Sequence, residues 1–130
     1  MADAVASHPV ARMLFEAAVQ DLAACSLLSS GDGIGDAVVG FHARQAVEKS
    51  LKAVLSAKGI EFRRTHDLAT LLDLLQDNHM AMPPGAEQLD ELNPYAVEAR
   101  YGTIGPDGLD RVQALSLVTL VIEWARAQLG

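Results

Sequence analysis

The sequence predicts an all-α fold in a single domain that spans residues 1–130. Apolar residues recur at spacings of three and four along most of the chain, which is the period of an amphipathic helix. Glycine- and proline-rich stretches divide this pattern into five helical segments, and no strand-like alternation of useful length appears. Half of the residues are hydrophobic but only 5% are aromatic, so we expect a core of closely packed Ala, Leu and Val. Residues 1–9 are expected to be flexible.

The first helix is predicted from Pro9 to about Leu28, and the Ser-Ser-Gly-Asp-Gly stretch at 29–33 ends it. Asp21 falls on the apolar face of this helix, between Leu14 and Cys25. A buried carboxylate without a partner is energetically expensive. We therefore expect Asp21 to be paired with one of three side chains: His42, Lys49 or Arg100.

The second helix is predicted from Asp36, as its N-cap, to about Lys58, with Gly59 as the C-terminal stop. One broad face is apolar and contains Ala43, Ala46, Val47, Leu51 and Val54. The other side carries a set of residues that we name the polar stripe: Phe41, His42, Gln45, Lys49 and Lys52. Glu48 precedes Lys52 by four residues, which is the favourable order for a pair on a helix surface.

Three further helices complete the prediction. The third is capped by Thr65 or Asp67 and runs from Leu68 to about Asn78. The fourth covers residues 87 to about 101 and should stop or kink at Asn93-Pro94. The last runs from about residue 109 to 128 and is apolar over more than half of its circumference. Such a helix lies either at the centre of a bundle or in a subunit interface.

Common catalytic and metal-binding patterns are missing from the sequence. Cys25 is the only cysteine, so an internal disulfide and a cysteine zinc cluster are excluded. No phosphate loop, nucleophile elbow or His-Glu-x-x-His motif occurs, and we expect no metal site and no cofactor. No basic-then-apolar signal opens the chain, and the apolar segment at 115–129 is too polar to cross a bilayer. We expect no membrane association and a cytoplasmic location.

The charge distribution restricts the kind of anion site that the chain can carry. A formal charge of −7 argues against binding of nucleic acid through bulk electrostatics. However, six of the ten Lys and Arg residues lie between positions 44 and 64. Any anion site should therefore be local.

Three clusters could carry chemistry, and each has a purely structural alternative. The polar stripe offers two ammonium groups and a ring to a phosphate or nucleotide, or it is a solvated face with Phe41 packed under a neighbouring helix or across a dimer. The Arg-Arg-Thr-His-Asp stretch at 63–67 starts a helix and suits an anion, or it serves only for capping. The stretch at 93–101 places Tyr95, Glu98 and Tyr101 on one face if it is helical. Arg100 there could pair with a carboxylate or a phosphate, or the cluster is a hydrogen-bond network between helices.

Three blocks of the sequence resemble the HEPN domain family. Residues 41–53, Phe-His-Ala-Arg-Gln-Ala-Val-Glu-Lys-Ser-Leu-Lys-Ala, resemble its core pattern, aromatic-x-x-x-Gln-Ala-x-Glu-Lys-x-x-Lys-Ala. Residues 59–68, which end in Thr-His-Asp-Leu, resemble the loop and helix start that follow it. Residues 92–101, with their Asn-Pro-Tyr, are similar to its third block. The resemblance extends from about residue 12 to 127.

This resemblance implies a bundle of four or five up-and-down helices, commonly dimeric, that binds nucleotide or nucleic acid. Family members are often encoded beside a minimal nucleotidyltransferase, and some are ribonuclease toxins of toxin–antitoxin pairs. Those ribonucleases resemble one another in an Arg that is followed, after four to six residues, by His. This sequence departs from that pattern, since only one residue separates Arg64 from His66. We therefore expect a member of the type without the ribonuclease motif.

Three hypotheses for function follow. The first is a non-catalytic, homodimeric module that binds nucleotide or RNA and works with a nucleotidyltransferase partner. In this module lysine and arginine side chains hold phosphate, and Phe41 or Tyr101 contacts a base or the other subunit. The second is a metal-independent ribonuclease in which His66 is the acid or base and Arg64 or Arg100 stabilises the phosphorane. The third is a dimerising adaptor without affinity for nucleotide or RNA. The site predicted for the first consists of Phe41, Gln45, Lys49, Lys52, Arg64, His66 and Arg100.

Overall fold

The computed structural model describes residues 8–62, 64, 67–95 and 108–130. Four α-helices and one 3₁₀ helix are present in these ranges, and the described residues contain no strand. The elements are α1 (Pro9–Ser29), α2 (Asp36–Ala57), α3 (Leu68–Asp77), the 3₁₀ helix (Ala86–Tyr95) and α4 (Arg111–Leu129). The predicted all-α fold and helical bundle are confirmed.

Helix α2 is the central element of the bundle, because it packs against α1, α3, the 3₁₀ helix and α4. Its buried residues lie around most of its circumference rather than on one face. They include Val39, Val47, Leu51, Val54 and Leu55, all of which are fully buried. Each buried aliphatic side chain of this size contributes about 1.5–3 kcal/mol relative to an exposed one.

Helix α4 lies on one side of the bundle, against α1 and α2. Its inner face carries Val118, Val121 and Ala125, each with no more than 3% exposure, while Val112 and Leu120 on its outer side are 82% and 45% exposed. The sequence allowed two positions for α4, the centre of the bundle or a subunit interface. The centre of the bundle is occupied by α2 instead. The apolar residues on the outer side of α4 stay at the surface.

The sequence predicted N-caps for α2 and α3, and of these only the cap of α3 is confirmed. His8 caps α1 by accepting a hydrogen bond from the Ala11 amide, so residues 8 and 9 of the segment that was expected to be flexible form a helix start. Of the two caps proposed for α3, Asp67 accepts from the Ala69 amide, and Thr65 lies outside the described residues. The prediction for α2 is wrong, because Gly35 is its N-cap and Asp36 stands in its first turn.

The fourth segment differs most from the prediction. It is a 3₁₀ helix over Ala86–Tyr95 rather than an α-helix. Pro94 lies inside it, and a proline there removes an N–H donor and crowds the preceding turn, which disfavours a continuing α-helix. Whether the chain stops or kinks at this proline stays a prediction. The remainder of the predicted segment, residues 96–101, lies outside the described residues.

Arg111 joins the start of α4 to the end of α1 and the start of α2. Its guanidinium donates to the carboxylate of Asp36, with 2.8 Å between Nε and Oδ1, and to the backbone carbonyls of Ser29 and Ile34. The Leu109 amide also donates to Asp36. These bonds hold the pKa of the Asp36 carboxyl below its ordinary value, chiefly through the hydrogen bond from Arg111, although desolvation opposes the shift.

The lowered pKa of Asp36 predicts an acid-dependent loss of stability. The contribution of this carboxylate is complete above the unfolded-state pKa of about 3.9 and is lost as the pH falls through the lower folded-state pKa. We expect Asp36→Asn to reduce the free energy of unfolding by about 1–2 kcal/mol at pH 7, and by progressively less as the pH falls through the folded-state pKa. Urea unfolding across this pH range measures the difference. Exposed Asp32→Asn is the control, and a pH-independent deficit of Asp36→Asn would contradict the assignment.

Candidate functional site

The carboxylate of Asp21 lies between two residues of the polar stripe. Its Oδ1 is 3.0 Å from Nδ1 of His42, and its Oδ2 accepts a hydrogen bond from Nζ of Lys49 at 2.6 Å. Asp21 is only 8% exposed, so its charge is stabilised mainly by these neighbours. The predicted need for a partner is confirmed, and two of the three candidates meet it together. The third, Arg100, lies outside the described residues.

A second charged cluster lies deeper, around Glu48. One carboxylate oxygen accepts from Arg44 at 2.7 Å and the other from Lys52 at 2.9 Å. Arg44 is 1% exposed and Glu48 is 3% exposed. The predicted pairing of Glu48 with Lys52 is therefore correct, but its placement on the helix surface is wrong. The pair is buried because α2 is covered by neighbouring helices on almost every side.

Arg44 was not among the site residues predicted from the sequence. Its Nε atom is buried and has no hydrogen-bond partner among the described residues, although its NH1 group pairs with Glu48. Arg44 precedes Glu48 by four residues, a spacing that brings both side chains together on one helix face. That spacing was a usable signal for the ion pair, whereas the burial of the pair depends on other parts of the chain.

The remaining residues of the predicted site are placed only in part. Phe41 is half-buried and meets the His42 ring edge to face, with 5.4 Å between ring centroids. Gln45 is half-buried and Arg64 is exposed. The Lys52 ammonium lies 5.7 Å from the centroid of the Phe62 ring, within range of a cation–π contact. His66 and Arg100 lie outside the described residues, as do Arg63, Glu98 and Tyr101 of the two other clusters.

Tyr95 belongs to the third of the predicted clusters and is packed in the core. It is 5% exposed, and its ring lies directly against Gly40 of α2. A Cβ atom built at Gly40 would be 2.4 Å from two atoms of that ring. The glycine therefore permits the 3₁₀ helix to approach α2 closely, and Tyr95 serves helix packing.

The two charged clusters around Asp21 and Glu48 together carry a positive charge. In the described part of the chain the two clusters contain three cations and two carboxylates, which leaves one positive charge when His42 is neutral. The Lys49 side chain is 30% exposed and that of His42 is 23% exposed, so both side chains are partly accessible from solvent. The local balance is thus opposite in sign to the net charge of −7. The counted groups are Arg44, Lys49, Lys52, Asp21 and Glu48.

Cys25 has the environment of a packing residue. It is fully buried, and burial raises the pKa of its thiol while Ser29 and Arg111 act in the opposite direction. A raised pKa leaves little thiolate and little nucleophilicity at neutral pH. Among the residues that the structure describes, no group of His, Cys, Asp and Glu is arranged to hold a metal ion. Within the same ranges, every helix is too short or too polar to cross a membrane.

Comparison with known proteins gives one match. The family model described as HEPN domain matches residues 11–128, which is nearly the whole chain. No curated protein and no solved structure shows a match.

Proposed function

The chain belongs to the HEPN domain family, and from this premise we propose a non-catalytic module that binds a nucleotide or a nucleic acid. The observation that supports the proposal most is the positive charge of the two clusters around Asp21 and Glu48 in an otherwise acidic chain. Phosphate groups are attracted to such a place because lysine ammonium groups supply both charge and hydrogen-bond donors. The family as a whole is related to nucleotides and RNA, which is consistent with this ligand class.

In the proposed site, Lys49, Lys52 and Arg64 hold phosphate. Lys49 is the best placed of the three, since it is partly exposed and its one described partner is Asp21. Because the Lys49 side chain is 30% exposed and an ammonium has three N–H donors, Lys49 can donate to a phosphate while it stays paired with Asp21. The half-exposed Phe41 meets a base or the other subunit, with Gln45, His66, Arg100 and Tyr101 as further members of the site.

The proposal also includes the assembly in which the module works. We propose a homodimer that acts in the cytoplasm with a minimal nucleotidyltransferase as its partner. This part rests on the family membership. The ribonuclease and adaptor hypotheses remain alternatives, and the experiment below separates them from the binding module.

We expect the double variant Lys49→Ala, Lys52→Ala to weaken binding by roughly a hundredfold, because each lost charged contact to phosphate is worth about tenfold or more. The measurement is calorimetric titration of ATP, GTP and a short single-stranded RNA at low salt. Lys58→Ala is the matched control, since Lys58 is an exposed lysine at the end of the same helix. Both lysines form ion pairs, so their removal could also affect stability. Thermal melts of the double variant therefore test whether it is folded.

The outcomes distinguish the three hypotheses. Retained affinity in the folded double variant would remove the site assignment. Flat traces with all three ligands would favour the dimerising adaptor. Cleavage of the RNA by the wild type, lost in His66→Ala, would favour the ribonuclease.

A further inference from the structure

A groove of about 620 Å³ lies between the start of the 3₁₀ helix and the first half of α4. Its residues come from the segment 85–88 and from the segment 110–120, and none of them belongs to the polar stripe. Gly85 has no side chain to fill the floor, where Leu117 of α4 is 7% exposed. The groove is therefore a second surface, separate from the site proposed for nucleotide or RNA.

The α4 side of the groove carries two exposed apolar side chains. Val112 is 82% exposed and Leu120 is 45% exposed, and both line the groove with Ser116 between them. Spacings of four residues place all three on one face of the helix. The face from Val112 to Leu120 rises by about 12 Å, which is the length of roughly two turns of a helix lying alongside it.

The polar groups of the groove are acidic or neutral. Glu87 stands on one side and Asp110 on the other, and the groove is lined by no Lys, Arg or His among the described residues. The Asp110 carboxylate is fixed in place because it caps α4 by accepting from the Gln113 amide at 3.0 Å. The nearby cation Arg111 is paired with Asp36 and turned toward backbone carbonyls. An occupant of complementary charge must be basic.

We propose that this groove docks an amphipathic helix of another protein, with apolar residues along one face and Lys or Arg beside them. The apolar residues would cover Val112, Leu117 and Leu120, and the basic residues would meet Glu87 and Asp110. A second copy of this chain fits less well. In a twofold dimer through this face, the acidic residues of both copies would approach one another, and the described lining of the groove supplies no compensating cation.

The test uses the full chain and a synthetic helical peptide of about 18 residues built from Leu and Lys, labelled for fluorescence anisotropy. The double variant Val112→Ser, Leu120→Ser removes apolar contacts without changing charge, and we expect roughly tenfold weaker binding. Glu87→Lys reverses one charge and is expected to weaken binding several-fold. The control is Leu27→Ser, since Leu27 is 76% exposed on α1 and outside the groove; it should bind within about twofold of the wild type.

Three results would overturn the proposal. Equal affinities for the wild type and the Val112, Leu120 double variant would show attraction to the net acidic chain alone. Equal binding of a Leu and Glu peptide would remove the charge argument. A wild-type dimer that dissociates in the double variant, measured by sedimentation, would assign the groove to a second copy. Thermal melts of each variant exclude unfolding as the cause of weaker binding.

Discussion

Replacing Glu48 by Ala is expected to lower the free energy of unfolding by about 3–5 kcal/mol, the usual cost of removing one partner from a buried ion pair. Glu48 neutralises both Arg44 and Lys52, whose side chains are 2% and 14% exposed. Without the carboxylate, the guanidinium stays in the core with its Nε already lacking a described partner. The desolvation of that cation is then uncompensated, and chemical unfolding measures the loss.

The chain contains a matched control for this prediction. Arg12 and Glu16 form an ion pair with the same spacing of four residues, but both side chains are 66% exposed. Glu16→Ala should change stability by no more than about 0.5 kcal/mol, since exposed pairs are screened by solvent. The contrast between the two variants isolates burial as the cause.

A second variant tests whether the loss comes from the stranded charge. Replacing both partners, Arg44→Met with Glu48→Leu, should recover much of the stability, because no unpaired cation is then buried. An Ala variant at Glu48 that unfolds as the wild type does would refute the buried network. A double variant no better than Glu48→Ala would show that packing, rather than charge, dominates at this position.

Replacing Gly40 by Ala is expected to destabilise the protein by about 1–3 kcal/mol, the range for overpacking of a core. In an exposed helix the same change stabilises by up to about 1 kcal/mol, because alanine has the higher helix propensity. Here the added methyl group would lie 2.4 Å from the ring of Tyr95. Either the ring and the 3₁₀ helix move away from α2, or α2 distorts.

A double-mutant cycle with Tyr95→Leu measures this contact directly. Tyr95→Leu alone should destabilise, since the ring is buried. In the Tyr95→Leu background, Gly40→Ala should lower the free energy of unfolding much less, or raise it. The coupling energy between the two positions is then about 1 kcal/mol or more. A single Gly40→Ala variant that is more stable than the wild type would place the Tyr95 ring elsewhere.

The local signals in the sequence determined the helices well. The first helix was predicted from Pro9 to about Leu28 and ends at Ser29, and the second was predicted to end near Lys58 and ends at Ala57. Helical periodicity, caps and glycine stops act within a few residues, so they can be read from a short window. The family is likewise a property of sequence blocks, and the match over residues 11–128 agrees with the resemblance seen in them.

The site was predicted from sequence only in outline. The pairing of Asp21 followed from one local fact, a carboxylate on an apolar helix face. A charged residue on a helix is expected to be exposed, and the sequence does not show which other elements cover α2. For this reason the burial of Arg44 was not predicted. Whether His66 and Arg100 join the site stays a prediction, since both lie outside the described residues.

The sequence by itself therefore determined the all-α class, the approximate helix boundaries and the need of Asp21 for a partner. Only the tertiary structure decided that α2 is central, that Glu48 lies in the core with two cations, and that Asp36 pairs with Arg111 instead of capping its helix. The physical reason is range. A periodic pattern shows which face of one helix is apolar, whereas burial and ion pairing depend on which other helices cover that face. Asp36 and Arg111, for example, form an ion pair across 75 residues of the chain.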